Sequence, residues 1–78
     1  MELAHTLAAF QHQHLTRWID QPIPALSSLT PRQAAADPAA RPRLEQLLRE
    51  MENAEDRKRA AGDDWHDLAW LRTALGMA

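Results

Sequence analysis

The segment ARPRLEQLLREMENA, residues 40–54, decides the fold class of this chain. At about 100° per residue its apolar side chains fall on one stripe of a helix, and charged and amide side chains occupy the rest of the circumference. The pattern predicts a core helix over about residues 38–60, started by Asp37, in which Pro42 lies in the first turn, where a helical amide has no partner. The predicted buried stripe is Ala40, Leu44, Leu47, Leu48, Met51 and Ala54.

The same stripe continues into charged residues. Glu55 and Lys58 fall on it, and neither can be buried without a cost. We therefore expect the helix to leave the core at about Ala54 and to end as solvated turns, with Gly62 as the stop signal.

Three further helices are predicted around this one. The first covers about residues 2–20 and ends before Pro22, the second covers 31–36, and the last covers about 65–75 with Gly76 as its C-terminal glycine. Thr30 is the predicted N-cap of the second, in a capping box with Gln33, and Asp63 or Asp64 is the predicted cap of the last. The apolar stripe predicted for the first helix is Leu3, Leu7, Phe10, His14 and Trp18, widened by Ala4, Ala8, Leu15 and Ile19.

Composition agrees with an all-α fold. The 78 residues include 15 Ala and 11 Leu but only six β-branched residues, and strands favour β-branched side chains. We predict one domain, a small irregular bundle of about four helices. A chain this short has a thin core, which we expect to bury two of the three Trp residues.

Residues 21–26, QPIPAL, connect the first two helices. Two prolines at i and i+2 favour an extended, polyproline-like backbone. Such a backbone leaves N–H and C=O groups free for water or for a partner, and it places Ile23 and Leu26 as apolar plugs.

Several function classes are not expected. There is no cysteine, the net charge is −2, and no apolar run is long enough to span a bilayer, so we expect a cytoplasmic protein that binds neither nucleic acid nor membrane. Nucleophile–base pairs and glycine-rich phosphate loops are missing from the pattern, which favours a non-enzyme without a cofactor. The spacing of His5, His12 and His14 does not suit a metal site on one helix face, and we expect His14 to be half-buried between Phe10 and Trp18.

The chain has more apolar and aromatic residues than its small core is expected to bury, which indicates a contact surface. The apolar arc of the last predicted helix is Trp65, Leu68, Leu71 and Leu75. Trp70 falls outside this arc, and Trp is enriched at interface hot spots. The alternative is that Trp70 packs against the first helix. An exposed patch would also suit a homodimer, which would relieve the thin core.

Four strings of the sequence, in this order and spacing, resemble a known bacterial domain. They are HLTRWIDQPIPAL at 14–26, TPRQAA at 30–35, LLREME at 47–52 and LRTALG at 71–76. Together they are similar to the C-terminal toxin-binding domain of the Xre/MbcA/ParS class of antitoxins, and the resemblance covers nearly all of residues 14–77.

The resemblance implies a helical module that packs onto a toxin resembling ADP-ribosyltransferases, blocks its active site and often dimerises. The family usually has a separate DNA-binding helical part upstream, for which we expect no room in these 78 residues, so we infer no autoregulation by DNA binding. The family commonly has glycines where Ser27, Ser28 and Leu29 stand here, a departure that puts an identical tight turn in doubt and favours a surface position for Leu29. The signature segment carried over is Trp18, Pro22, Ile23, Pro24, Leu26, Thr30 and Pro31.

Two hypotheses from different classes stay open. The first is a protein-binding module that neutralises a toxin, and the second is a structural or oligomerising accessory domain of a larger protein. In the first, the contact residues are exposed or at an interface, whereas in the second they complete the core or a dimer seam. The candidate partner-binding residues are Trp18, Pro22, Ile23, Pro24, Leu26, Leu29 and Trp70.

Overall fold

A computed structural model describes residues 3–77, and the side chains of residues 10–77. Four α-helices form a small bundle: α1 (Leu3–Trp18), α2 (Pro31–Ala36), α3 (Arg41–Ala60) and α4 (Ala69–Leu75). A 3₁₀ turn, Pro24–Leu26, lies between α1 and α2. The all-α prediction is confirmed, and no strand occurs within residues 3–77. The predicted start at residue 2 and the side chains of Leu3 and Leu7 fall outside the described parts.

The α2 helix begins as predicted. The Thr30 hydroxyl accepts a hydrogen bond from Gln33 N–H at 3.1 Å, and the Gln33 side chain accepts one from Thr30 N–H at 2.9 Å. Pro31 occupies the first turn and is buried. This reciprocal cap allows a helix of only six residues to have a defined start.

The predicted start of the third helix at residue 38 is wrong, because α3 begins at Arg41. Asp37 closes a turn instead of starting the helix: its carboxylate accepts from Ala39 N–H at 2.9 Å, and its backbone carbonyl accepts from Ala40 N–H at 3.1 Å. The predicted stop at Gly62 agrees with its φ of +78° and with the bond from Gly62 N–H to the Arg59 carbonyl at 3.2 Å.

The predicted start of the last helix near Trp65 is also wrong, since α4 begins at Ala69. The carboxylate that accepts from its first turn belongs to Asp67, at 2.9 Å from Ala69 N, and not to Asp63 or Asp64. His66 N–H donates to a Glu55 carboxylate oxygen at 2.8 Å, a bond that holds this part of the chain against α3. The helix ends at Gly76 as predicted, with φ of +69°.

The core is aliphatic and lies where α2, α3 and α4 meet the end of α1. None of the four aromatic residues is buried, so the expectation of two buried Trp residues is wrong. Trp18 and Trp70 are half-buried and pack against the outside of the aliphatic cluster. The core cluster is Ile19, Leu26, Ala34, Ala35, Leu44, Leu48, Leu71, Leu75 and Met77.

Candidate protein-binding surface

Residues 22–29, named here the proline loop, join α1 to α2 as a closed turn. Ile23 N–H donates to the Leu29 carbonyl at 3.0 Å, Ser28 N–H donates to the Ile23 carbonyl at 3.1 Å, and Leu26 N–H donates to the same carbonyl at 2.9 Å. The predicted extended backbone with free polar groups is therefore wrong beyond Ile23. The loop satisfies most of its own backbone, and this fixes its shape.

Two consecutive serines make this turn possible. Ser27 and Ser28 have φ of +57° and +67°, a left-handed conformation that favours glycine. Each non-glycine residue there costs roughly 1–2 kcal/mol relative to a right-handed one. The chain thus forms a tight turn here with two serines in the left-handed conformation. Strained backbone of this kind is often found at binding sites.

The proline loop divides its side chains between core and surface. Leu26 is only 2% exposed, so it anchors the loop in the core and does not have the exposed position expected of a contact residue. Ile23 and Leu29 are partly buried and pack against the core cluster, which corrects the expected surface position of Leu29. Pro22 and Pro24 are exposed. The loop therefore presents two rigid prolines beside the outer edges of two aliphatic side chains.

A shallow groove of about 260 Å³ runs beside the loop. It separates the loop from the turn that leads into α3, and Arg43 stands at its edge, where its guanidinium is hydrogen-bonded to Gln46 Oε1 at 3.0 Å. A half-buried carboxylate, Asp37, also borders it. The lining residues are Ala25, Leu26, Ser27, Leu29, Asp37, Ala39, Ala40 and Arg43.

Trp70 connects α4 to α1. Its indole lies against the His12 ring, with centroids 3.9 Å apart, and its Nε1–H donates to His66 Nε2 at 3.0 Å. It is half-buried and packed against the core cluster. Of the two alternatives considered for Trp70, packing against the first helix describes its position.

The first helix is rotated relative to its predicted stripe. Ile19 is buried, and Leu15 and Trp18 are partly buried, whereas Phe10 is 68% exposed. His14 is exposed, so its predicted half-buried position between Phe10 and Trp18 is wrong. Of the widening residues whose side chains are described, Leu15 and Ile19 lie toward the core, and the His12 ring contacts Trp70 of α4.

Trp65 is the aromatic surface residue that sequence reasoning missed. It is 43% exposed, and the Arg59 guanidinium lies 5.1 Å from its ring centroid. The predicted helix from residue 65 placed it on a buried arc, and that placement failed together with the helix start. The error was the helix start predicted at residue 65, because Trp65 precedes α4 and lies in a connecting segment at the surface.

Arg72 holds α4 against α3. Its guanidinium forms two hydrogen bonds to Glu52, at 2.7 and 2.9 Å, and one to Glu45 at 2.7 Å. The hydrogen bonds that Arg72 donates to the two carboxylates, Glu52 first, raise the pKa of Arg72 above its already high ordinary value. The bond from Arg72 is the main cause that lowers the pKa of Glu45. This network places fixed charge beside the core and leaves no free cation there for an anionic ligand.

Glu55 corrects the expectation that the stripe of α3 leaves the core at Ala54. Its side chain is only 15% exposed and is paired with Lys58 Nζ at 2.8 Å and with the His66 N–H. Burial raises the pKa of this carboxyl, but the bonds from Lys58 and His66 outweigh that effect and lower the pKa below 4.5. A carboxylate can therefore be covered here because it has donors on two sides.

A larger cleft of about 480 Å³ opens between the second half of α3 and residues 65–73. Its carboxylates are engaged with Arg72, Lys58, Arg59 and backbone N–H groups. Among the side chains described here, no three His, Cys, Asp or Glu residues come together as they would to hold a metal ion. Within residues 3–77, the helices are all too short or too polar to cross a membrane.

Comparisons with known proteins give no relative: no family model, no curated protein and no solved structure matches this chain.

Proposed function

We propose that this chain is a protein-binding module, of the kind that binds and neutralises a toxin, and that its contact surface includes the proline loop and the adjacent groove. The observation that carries the proposal of a protein partner is the position of the aromatic residues, none of which lies in the proline loop itself. All four lie outside the buried core, and Phe10 and Trp65 are strongly exposed. Aromatic side chains are enriched at protein–protein interfaces relative to the rest of the protein surface.

The proline loop supports the same proposal by its rigidity. A loop with its backbone groups already bonded, and with two prolines, loses little conformational freedom on binding. Ser27 and Ser28 hold it in a strained shape that the closed turn and the Leu26 anchor maintain. The toxin as partner comes from the resemblance of residues 14–77 to antitoxin domains and is part of the proposal.

The experiment uses the full chain with matched variants. The tagged chain is expressed with the product of each adjacent reading frame of its genome, and both complex formation and relief of growth arrest are measured. Ala25→Arg adds a bulky charge at an exposed position that lines the groove. Ala61→Arg makes the same change at an exposed position past the far end of α3, about 27 Å along that helix from Arg43.

The expected result is one toxic partner whose growth arrest the wild-type chain and Ala61→Arg relieve. Ala25→Arg should bind at least about tenfold more weakly. Equal binding by both variants would remove the proline loop from the contact surface, and a bound partner without toxicity would overturn neutralisation.

A second candidate function, an oligomerising accessory domain, is favoured by one specific observation, the exposure of Phe10 on α1.

A further inference from the structure

Three rings meet where α1 approaches the start of α4, and they are named here the His–Trp cluster: His12, His66 and Trp70. The His12 ring lies on the indole of Trp70 with centroids 3.9 Å apart, and the His66 ring stands at 78° to that indole with centroids 6.2 Å apart. Trp70 Nε1–H donates to His66 Nε2 at 3.0 Å. The orientation of the indole beside α1 therefore depends on one ring nitrogen of His66.

This hydrogen bond is possible in only one charge state of His66. A ring nitrogen that accepts a hydrogen bond carries no proton, so the imidazole is neutral and its proton is on Nδ1. An imidazolium has an N–H at both nitrogens, and two donors would then face each other at His66 Nε2. Histidine is the side chain whose charge ordinarily changes between about pH 5 and 8.

We propose that His66 is a pH-sensitive contact, which attaches α1 to α4 while its imidazole is neutral and releases the N-terminal part of α1 when it is protonated. The main chain of His66 stays in place, because its N–H donates to Glu55 of α3 at 2.8 Å. Loss of the side-chain bond therefore frees the Trp70 indole, on which His12 lies. The other end of α1 stays attached, because Ile19, directly after the helix, is buried in the core.

Glu55 separates this effect from denaturation by stronger acid. Burial raises the pKa of its carboxyl, but the hydrogen bonds from Lys58 and His66 outweigh burial and lower the pKa below its ordinary value. Glu55 is therefore still ionised in the range where histidine titrates, and it continues to hold the main chain of His66. Its negative charge also favours the imidazolium, which is the form that releases Trp70.

The other charged neighbours shift the release without reversing it. A protonated His12 is attracted to the face of the indole, but it supplies no acceptor for Trp70 Nε1–H. Its ring centroid lies 6.2 Å from that of His66, so a charged His12 moves the release toward lower pH. The described titratable and charged groups around His66 are His12 and His14 of α1, Glu52, Glu55, Asp56 and Lys58 of α3, and Asp67 and Arg72.

The test follows the indole N–H signals of the full chain by ¹⁵N NMR from about pH 8 to about pH 5.5. The Trp70 signal is identified by its absence in Trp70→Phe, and the signals of Trp18 and Trp65 are internal controls. In wild type the Trp70 signal should shift in one histidine-like titration. Its exchange with water, corrected for the intrinsic rate, should become at least about tenfold faster at the acid end, because the hydrogen bond is lost.

Three variants assign the titration. His66→Gln supplies an amide oxygen that accepts from the indole and does not titrate, so the Trp70 signal should stay constant over this range. His14→Gln makes the same change at an exposed histidine and should titrate like wild type. His12→Phe keeps an aromatic ring on Trp70 without a second imidazole, and it should titrate as well. Circular dichroism confirms that each variant keeps its helicity.

Amide hydrogen exchange on the same samples measures the release of α1. In wild type the protection factors of residues 10–14 should fall at least about fivefold between the two ends of the titration, while those in the middle of α3 stay constant. A Trp70 signal that is flat in wild type, or that titrates in His66→Gln as in wild type, would overturn the role of His66. Constant protection of α1 in a wild-type chain whose Trp70 signal titrates would overturn the release of the helix; neither result depends on whether a toxin is bound through the proline loop.

Discussion

Helices α1 and α3 are the two long helices of the molecule, with 16 and 20 residues, and both carry an apolar stripe. The stripe of α3 is covered: Leu44 and Leu48 are buried beneath α2 and α4. The stripe predicted for α1 points outward at Phe10 and His14. An apolar stripe thus indicates which side of a helix is stabilised by burial. Whether that side is buried within the chain depends on how the neighbouring elements pack.

The largest expected effect separates the two stripes directly. Leu44→Ala removes a fully buried side chain and should lower the free energy of unfolding by about 3 kcal/mol. Phe10→Ala, measured at a concentration where the chain is monomeric, should change it by less than about 0.5 kcal/mol. Urea denaturation followed by circular dichroism measures both, and similar losses for the two variants would contradict the comparison.

Trp70→Ala should have the next largest effect, because Trp70 is the connection between α4 and α1. The variant loses the contact with His12 and the hydrogen bond to His66. Its free energy of unfolding should fall by about 2 kcal/mol, and α1 should fray. The interface hypothesis from the sequence alone predicts intact helicity for this variant. Trp70→Phe keeps the ring contact and should lose only about 1 kcal/mol; equal losses would show that the hydrogen bond is the whole connection.

Acid should weaken the attachment of residues 63–68 to α3 through Glu55. Because its folded pKa lies below 4.5, its stabilising contribution is complete above that pH and is lost as the pH falls through the folded value. Glu55→Gln should therefore flatten the loss of stability as the pH falls below the ordinary pKa of a glutamate. Glu50→Gln is the control, since Glu50 is exposed on the same helix and outside the ion pairs of the described residues; an equal flattening there would contradict the role of Glu55.

The smallest expected effect has the opposite sign. Ser28→Gly relieves the left-handed strain at φ +67° and should stabilise the chain by about 0.5 kcal/mol, the strain relief being partly offset by the greater freedom of glycine when unfolded. Ala25→Gly, in the 3₁₀ turn of the same loop, should destabilise it by a similar amount. Thermal unfolding of both variants is sufficient, and destabilisation by Ser28→Gly would contradict the strain.

Local signals predicted the parts of the fold that depend on local chemistry. The capping box at Thr30, the stop at Gly76 and the buried positions of Leu44 and Leu48 follow from neighbours within one or two turns. The start of α4 could not be predicted in that way, because a carboxylate of α3, Glu55, takes the His66 N–H from a distant part of the sequence.

The candidate site was predicted less completely. The exposed prolines of the proline loop follow from their sequence position, but the closed turn depends on two serines in a conformation that propensity assigns to glycine. The burial of Leu26 and the rotation of α1 are decided by packing between elements. Sequence periodicity identifies the apolar faces of a helix. When a helix has two apolar faces, periodicity does not predict which of them is buried in the core.

The closed turn of the proline loop has a consequence for amide hydrogen exchange. The N–H groups of Ile23, Leu26, Ser27, Ser28 and Leu29 all donate to backbone carbonyls inside the loop. Leu26 ties that loop to the core cluster, so these amides become open to solvent only when the core itself opens. We therefore predict that this connecting segment, which has no long secondary structure, exchanges as slowly as the middle of α3.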